Sequence, residues 1–411
     1  MNKNFLFVGM LGLVLGWCGA VSAASPGTGI VLSQALDAAL SDAPERALAS
    51  GREAQAQALQ RHADALLPQA PSLALSAQGG AYSPNEPSGT YSEWVAGVEL
   101  PLWRPGQAEV LRRLAAGMQD LADAERAALR LELAGLLREA GWDVLLAQAR
   151  MEGMQRSLAG LPAAEKRVQR AVALGERARV DALTLAAEVA DVELQVAAAQ
   201  LAYEQAVAVW RVLSRQNTLP GVWREALVDE RPIESLMERH PQALAARAAW
   251  QRAGSERQAG VLAAEGAPVL GIGAKQDRTP GSETLNAVVV TLSVPLPWET
   301  ARGAAEAPLR YAELEAEVAY AKQLRSLNAA RAAARVALDG ARRQAVLADE
   351  RAKLEHAALH LAQRQMDEGQ LDVLDFVTVL RRVREAELAA ALGRLEVERA
   401  VSRVNQAEGV I

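Results

Sequence analysis

The sequence predicts a mainly α-helical chain with a small β part, and three observations carry that prediction. Aromatic residues make up 4% of 411 residues, phenylalanine occurs three times, and long stretches read as Ala, Leu, Arg, Glu and Gln. That mixture marks long helices and coiled coils rather than compact globular domains. The same plan is written twice along the chain. Within each copy, one segment switches from helical to alternating periodicity and reads as a β-hairpin.

At the amino end, Lys3 precedes an apolar run from Phe5 to Trp17, followed by the small residues Val21-Ser22-Ala23. This is the pattern of a secretory signal peptide over residues 1–23, with Ala24 opening the mature chain. Cys18, the single cysteine, lies inside it. Trp17 before it is not the small residue that lipid attachment at Cys18 requires. Cleavage leaves roughly 390 residues, enough for two or three ordinary domains, and no thiol for a disulfide or thiolate site. After Ala24 no apolar run is long enough for a transmembrane helix. Net charge is −6, and the cations, almost all arginine, are dispersed, so no nucleic-acid-binding stripe forms.

The repeat aligns Pro44 with Pro241 and Pro71 with Pro268, an offset of 197 positions in both cases. Beyond the hairpin the offset becomes 194, pairing Pro101 with Pro295 and Gly175 with Gly369. A length change of three residues belongs in a loop. The predicted organisation is a first repeat over 24–216, a linker over 217–232 rich in proline and glycine, and a second repeat over 233–411.

Hairpin one spans about 72–102. Leu73, Leu75 and Ala77 alternate, Ser83 to Gly89 form a turn signal, and Trp94, Ala96, Val98 and Leu100 alternate on the return. Hairpin two spans about 269–296, with Asp277 to Ser282 as turn and Val288, Val290, Leu292 and Val294 on one face of the return. Each run matches the ~9–11 residues of a tilted membrane-crossing strand. The remainder reads as helix. A very long helix runs from Gly106 to Leu174, kinked at Pro162, and returns from Ala178 to Ser214; the second copy runs from Ala305 to Glu368 and returns from Leu371 to Ala407.

Four strands cannot enclose water, and an open sheet edge in lipid leaves backbone groups unpaired at several kcal/mol each. The expectation is that three copies pool 12 strands into one barrel, with Ala-rich helices (186–200 and 328–334) continuing it as a cylinder of antiparallel coiled coil.

Three features, each present twice, resemble the TolC-like outer membrane efflux proteins over essentially the whole mature chain. They are Leu32-Ser33-Gln34-Ala35-Leu36 through Leu67-Pro68-Gln69, the strand–proline–helix junctions at Pro101 and Pro295, and the tip segments. The tip segments are Arg170 to Gly175 with Asp181-Ala182-Leu183, and Met366 to Gly369 with Asp375-Phe376-Val377. The resemblance implies a homotrimeric exit duct in the outer membrane. It would dock through its periplasmic tip onto an adaptor (membrane fusion protein) and an inner-membrane pump of resistance-nodulation-division type. The short mature chain is similar to the heavy-metal branch, the cobalt–zinc–cadmium and copper–silver type. Two other readings are open: the outer-membrane component of a type I protein secretion system, and a periplasmic coiled-coil adaptor.

Gly175 and Gly369 are expected to reverse the chain at the tip in the left-handed conformation. Asp181, Asp372 and Asp375 are candidate constriction acids, since a threefold carboxylate ring in a narrow bore attracts cations; each could instead cap a returning helix. Where some relatives latch the tip with a tyrosine and an arginine, this chain has Met366 and Leu371. Trp103 and Trp298 suit a membrane-interface belt. His356 and His360, at i and i+4, put two imidazoles on one helix face, but nothing nearby completes a metal site; His62 and His240 are isolated. No cofactor is expected. HExxH, Walker and GxSxG motifs are missing, and Gly271 and Gly273 fall in a strand without a following helix, so no enzyme is predicted.

Overall fold

The computed structural model describes residues 31–81, 90–221, 223–230, 232–279, 282–296, 299–368 and 370–411. The signal segment with Cys18, the first hairpin turn, Trp298 and Gly369 lie outside the described residues.

The chain is mostly helical with one small antiparallel sheet. Two short helices, α1 (Leu32–Asp42) and α2 (Arg46–Ala63), precede strands β1 (Ser72–Ala81) and β2 (Thr90–Pro101). Helices α3 (Gln107–Ala159), α4 (Leu161–Ala173) and α5 (Arg179–Ser214) follow. The second half runs α6 (Ile233–Arg239), α7 (Pro241–Ala264), β3 (Val269–Arg278), β4 (Leu285–Ser293), α8 (Glu299–Asp367) and α9 (Val373–Ala407).

The two hairpins are not separate. Strand β2 pairs antiparallel with β3, Val98 opposite Ile272, so the four strands form one sheet in the order β1-β2-β3-β4. The outer sides of β1 and β4 are the two edges. Alternation predicts each strand's faces but not which strands become neighbours, so this union is visible only in three dimensions.

The helices repeat that order. Toward the sheet, α3 lies between α2 and α7, and α7 packs on α8; toward the far end, α3 lies between α5 and α9, and α9 packs on α8. Ion pairs fix these levels: Arg112–Asp64 (2.8 Å) holds α2 near the start of α3, and Arg399–Asp143 (2.9 Å) holds α9 further along. At each level four helices stand side by side, as the strands do. With 69 residues, α8 is ~100 Å long.

The predicted kink at Pro162 is a helix break one step earlier. Helix α3 ends at Ala159, and α4 starts at Leu161 with Pro162 in its first turn. A proline there costs no hydrogen bond, because the first N–H groups of a helix have no partner within it. A core forms midway down, where Leu36 of α1, Leu137 and Trp142 of α3, Trp210 of α5 and Trp223 pack together.

Candidate functional site

The sheet has two unlike faces. On one, Leu73, Val98, Ile272 and Val290 form a continuous cross-strand row, and Leu75, Ala96, Ala274 and Val288 form the next. Leu73 is 72% exposed and Val288 78%. Large aliphatic residues in that state need a non-aqueous neighbour. The opposite face is polar. Ser72 donates to Glu99 (3.1 Å), and Lys275 pairs with Glu93 at 2.7 Å. Period-two alternation therefore makes a sheet that is apolar on one face and more polar on the other. Two facing glycines lie on the more polar side: Gly97 stands opposite Gly273, so close that a Cβ on Gly97 would fall 2.8 Å from the Gly273 Cα. Removing side chains from one face lets a sheet curl toward it.

Where strands hand over to helices, Arg104 gathers the two halves. Its guanidinium donates to the carbonyls of Gly266 (2.5 Å), Glu265 (2.6 Å) and Pro295 (3.0 Å), which end α7 and follow β4. Trp103 beside it is half-buried, donates from Nε1 to Ala65 O (2.9 Å) and packs its ring against His62 at 5.5 Å.

A buried polar knot binds the linker to the rest. Arg138 pairs with both Glu225 oxygens at 2.9 Å and donates to Gln406 Oε1 (2.7 Å) and Val410 O (2.9 Å). Glu225 also accepts from Ser402 Oγ and Asn405 Nδ2, both at 3.0 Å. Nearby, the buried Glu408 takes Arg331 (2.7 Å) and Arg335 (2.6 Å). His240 is buried as well, and its Nδ1 caps α7 by accepting from Gln242 N. Burial holds the His240 imidazole below its ordinary value, partly opposed by the Glu408 charge. For Glu139, burial alone would raise the carboxyl, but hydrogen bonds from Arg403 and Arg399 outweigh it and hold it low.

At the far end, Gly175 takes the left-handed conformation (φ +76). Its N–H donates to Val172 O and that of Glu176 to Ala171 O, the paired bonds that terminate a helix through such a residue. The predicted acids do not stand alone. Asp372 caps α9 by accepting from Leu374 N (3.4 Å), and its carboxylate pairs with Arg177. Arg177 also reaches Asp181 in the first turn of α5, at 3.7 Å. One arginine thus joins both returning helices. Asp375, in the first turn of α9, is exposed and has no ion pair among the described residues.

His356 pairs with Glu387 at 2.9 Å, and the described residues contain no group of three or more His, Cys, Asp or Glu able to hold a metal ion. None of the described helices is long and apolar enough to cross a membrane. Sequence reasoning missed Arg104, Arg138 and Arg177. In a chain with 44 Lys and Arg, an arginine with fixed partners has the same local sequence as a solvated one.

No family model matches the sequence, and no curated relative does. Solved structures do match, and the class they define is an outer-membrane channel fold of TolC-like type, with long helices below a barrel. CusC, solved in a study of folding and transmembrane channel formation, is similar with a TM-score of 0.71 at 15% identity, covering 95% of this chain and 96% of that one. The outer membrane protein VceC of Vibrio cholerae gives 0.69 at 16%, over 92% and 96%. The CmeC outer membrane channel of Campylobacter jejuni gives 0.68 at 15%, over 99% and 94%. At such identities the likeness concerns the fold.

Proposed function

We propose that the chain is one third of an outer-membrane exit duct, passive and non-enzymatic, conducting cargo from a periplasmic adaptor and inner-membrane pump to the exterior. The observation that carries this is the sheet: four strands, apolar on one face and polar on the other, with an edge at each end. Strands in lipid require closure. Three copies supply 12 strands, and four helices abreast at each level become twelve around the same axis, so barrel and cylinder close by one threefold operation. The solved channels of the same fold support this reading. A periplasmic adaptor would have no use for so long an apolar sheet face.

The two repeats are the units on either side of the 217–232 linker, with Gly175 and Gly369 at their tips. Arg177 is the tie between those tips, in place of the tyrosine and arginine latch that Met366 and Leu371 do not supply. Asp375 is the acid left to face the bore. Heavy-metal cations are the cargo class we assign, and an inner-membrane pump of resistance-nodulation-division type the partner. Membrane fractionation tests the duct: a heat-modifiable trimer in outer membranes supports it, and a soluble monomer released by osmotic shock ends it. Deletion followed by growth on zinc, cobalt, cadmium and copper, against a panel of dyes and antibiotics, tests the cargo; wild-type metal tolerance removes the metal assignment.

A further inference from the structure

In the second half of the chain the two helix levels meet end to end. Helices α7 and α9 both pack between α3 and α8, α7 toward the sheet and α9 toward the tip. Where one gives way to the other, His240 is the N-cap of α7 and Glu408 the C-cap of α9. The turn after Glu408 seats on the imidazole. At Gly409, in the left-handed conformation (φ +75), a Cβ would fall 2.8 Å from His240 Cδ2 and 3.1 Å from Pro241 Cδ. His240 is 2% exposed and Glu408 3%.

This joint is polar yet incompletely bonded. His240 Nε2, Arg335 Nε and Glu408 Oε2 are buried without a hydrogen-bond partner among the described residues. Because His240 Nδ1 accepts from Gln242 N (3.2 Å), the neutral ring carries its proton on Nε2. A second proton, taken from solvent, can go only to Nδ1. It turns the acceptor that caps α7 into a donor facing the Gln242 N–H, and it leaves a cation in a site closed to water.

The surrounding charges are already committed. Glu408 faces the ring from the end of α9, but its Oε1 accepts from both Arg331 (2.7 Å) and Arg335 (2.6 Å) of α8. Arg335 also reaches Glu230 of the linker at 3.8 Å. The cavity beside His240 is lined further by Glu132, Arg138 and Glu139 of α3 and by Arg403 of α9. Arg138 is held by Glu225, and Glu139 by Arg399 and Arg403. Of these side-chain types only histidine ordinarily changes charge between pH 5 and 8. Burial holds the imidazole below its ordinary value, and Glu408 opposes this only in part.

The corresponding joint in the first half is built differently. The offset of 197 that pairs Pro44 with Pro241 puts Ala43 at the position of His240. There the end of α5 is tied to α1 by Arg215 and Asp42 (2.6 Å), both more than half exposed.

We infer that the joint between α9 and α7 is an acid-released coupling: protonation of His240 at Nδ1 removes the cap of α7 and parts the Glu408–Val410 turn from it, so that α9 loses its end-on hold on α7. The device lies within one protomer and does not depend on how many copies assemble.

Hydrogen exchange of the full chain in detergent, read peptide by peptide and corrected for the intrinsic effect of pH, tests it. With an ordinary histidine value near 6.5 in the opened joint, amides of 242–244 and 408–410 should exchange severalfold faster at pH 5.5 than at pH 7.5, up to about tenfold. Amides around Ala43 and Arg215 should keep one rate at both. His240→Asn retains an acceptor for Gln242 N but has no proton to gain, so its second joint should also keep one rate. Equal exchange at both pH values in wild type, acceleration of both joints alike, or a pH response that survives in His240→Asn would each overturn the inference. Comparing two joints within the wild-type molecule decides the matter even where the variant fails to fold.

Discussion

Arg177 pairs with Asp372 across the tip, joining the turn that leads into the returning helix in one half of the chain to the cap of its counterpart in the other. Because the two residues belong to different helical hairpins, parting the hairpins must break the contact. Both side chains are partly exposed, at 24% and 42%, so each pair is worth ~0.5–1 kcal/mol. Arg177→Ala should therefore raise the open fraction of single channels in planar bilayers roughly two- to fivefold per protomer. An unchanged open fraction would mean that the tip is held by other contacts.

The same geometry separates the acids. Asp372 and Asp181 are compensated by Arg177, whereas Asp375 is not. A carboxylate ring acts on permeant ions through uncompensated charge. Reversal potentials in a salt gradient should shift toward lower cation preference in Asp375→Asn. In Asp181→Asn the shift should be smaller. Equal selectivity in wild type and Asp375→Asn would remove Asp375 from the bore.

Much of this architecture was legible in the sequence, for identifiable reasons. Alternation at Leu73 and Leu75 and at Val288 and Val290 is local, and it predicts strands and their faces. Helix lengths follow from the distance between breakers. The pairing of β2 with β3 is non-local and left no local mark. The break before Leu161 differs from the expected kink because a proline tolerated in a first turn and one that bends an interior look alike in sequence. Arg138 and Glu225 are 87 positions apart, and only the fold makes them partners.

That pair carries a stability prediction. Arg138 is 3% exposed and holds a carboxylate that also accepts from Ser402 and Asn405. Truncating it strands a buried charge, a loss of ~3–5 kcal/mol. Arg138→Ala should lower the unfolding temperature in detergent far more than Arg126→Ala, whose side chain is half exposed. Equal effects would mean that water reaches Glu225.

His240 predicts a pH dependence. Its folded-state value lies below the ordinary histidine value because burial disfavours the imidazolium. The unfolded chain therefore binds the proton first. Stability is fully present above the unfolded value, near 6.5, and falls as pH drops from there toward the folded value. Glu139 acts in a different window: its value is lowered, so its contribution is kept above about 4.5 and lost below. Between pH 7.5 and 5.5 the wild-type unfolding temperature should fall, and His240→Asn, which keeps an acceptor for Gln242 N, should flatten the slope. An equally steep slope in the variant would assign the effect elsewhere.

Sheet curvature is open to the same treatment. At Gly97 a Cβ would meet backbone, 2.8 Å from both Gly273 Cα and Ile272 O. Backbone in a paired strand cannot swing aside as a side chain can, so the two strands would have to separate locally. At Gly79 the nearest atom is Tyr91 O, at 3.4 Å, where a methyl group nearly fits. Gly97→Val should cut the yield of heat-modifiable trimer severalfold, while Gly79→Ala assembles normally. Both residues occupy strands of the same sheet, so a general intolerance of larger side chains would penalise both. Only close approach of β2 to β3 penalises Gly97 alone, and normal assembly of Gly97→Val would show that the sheet curls without it.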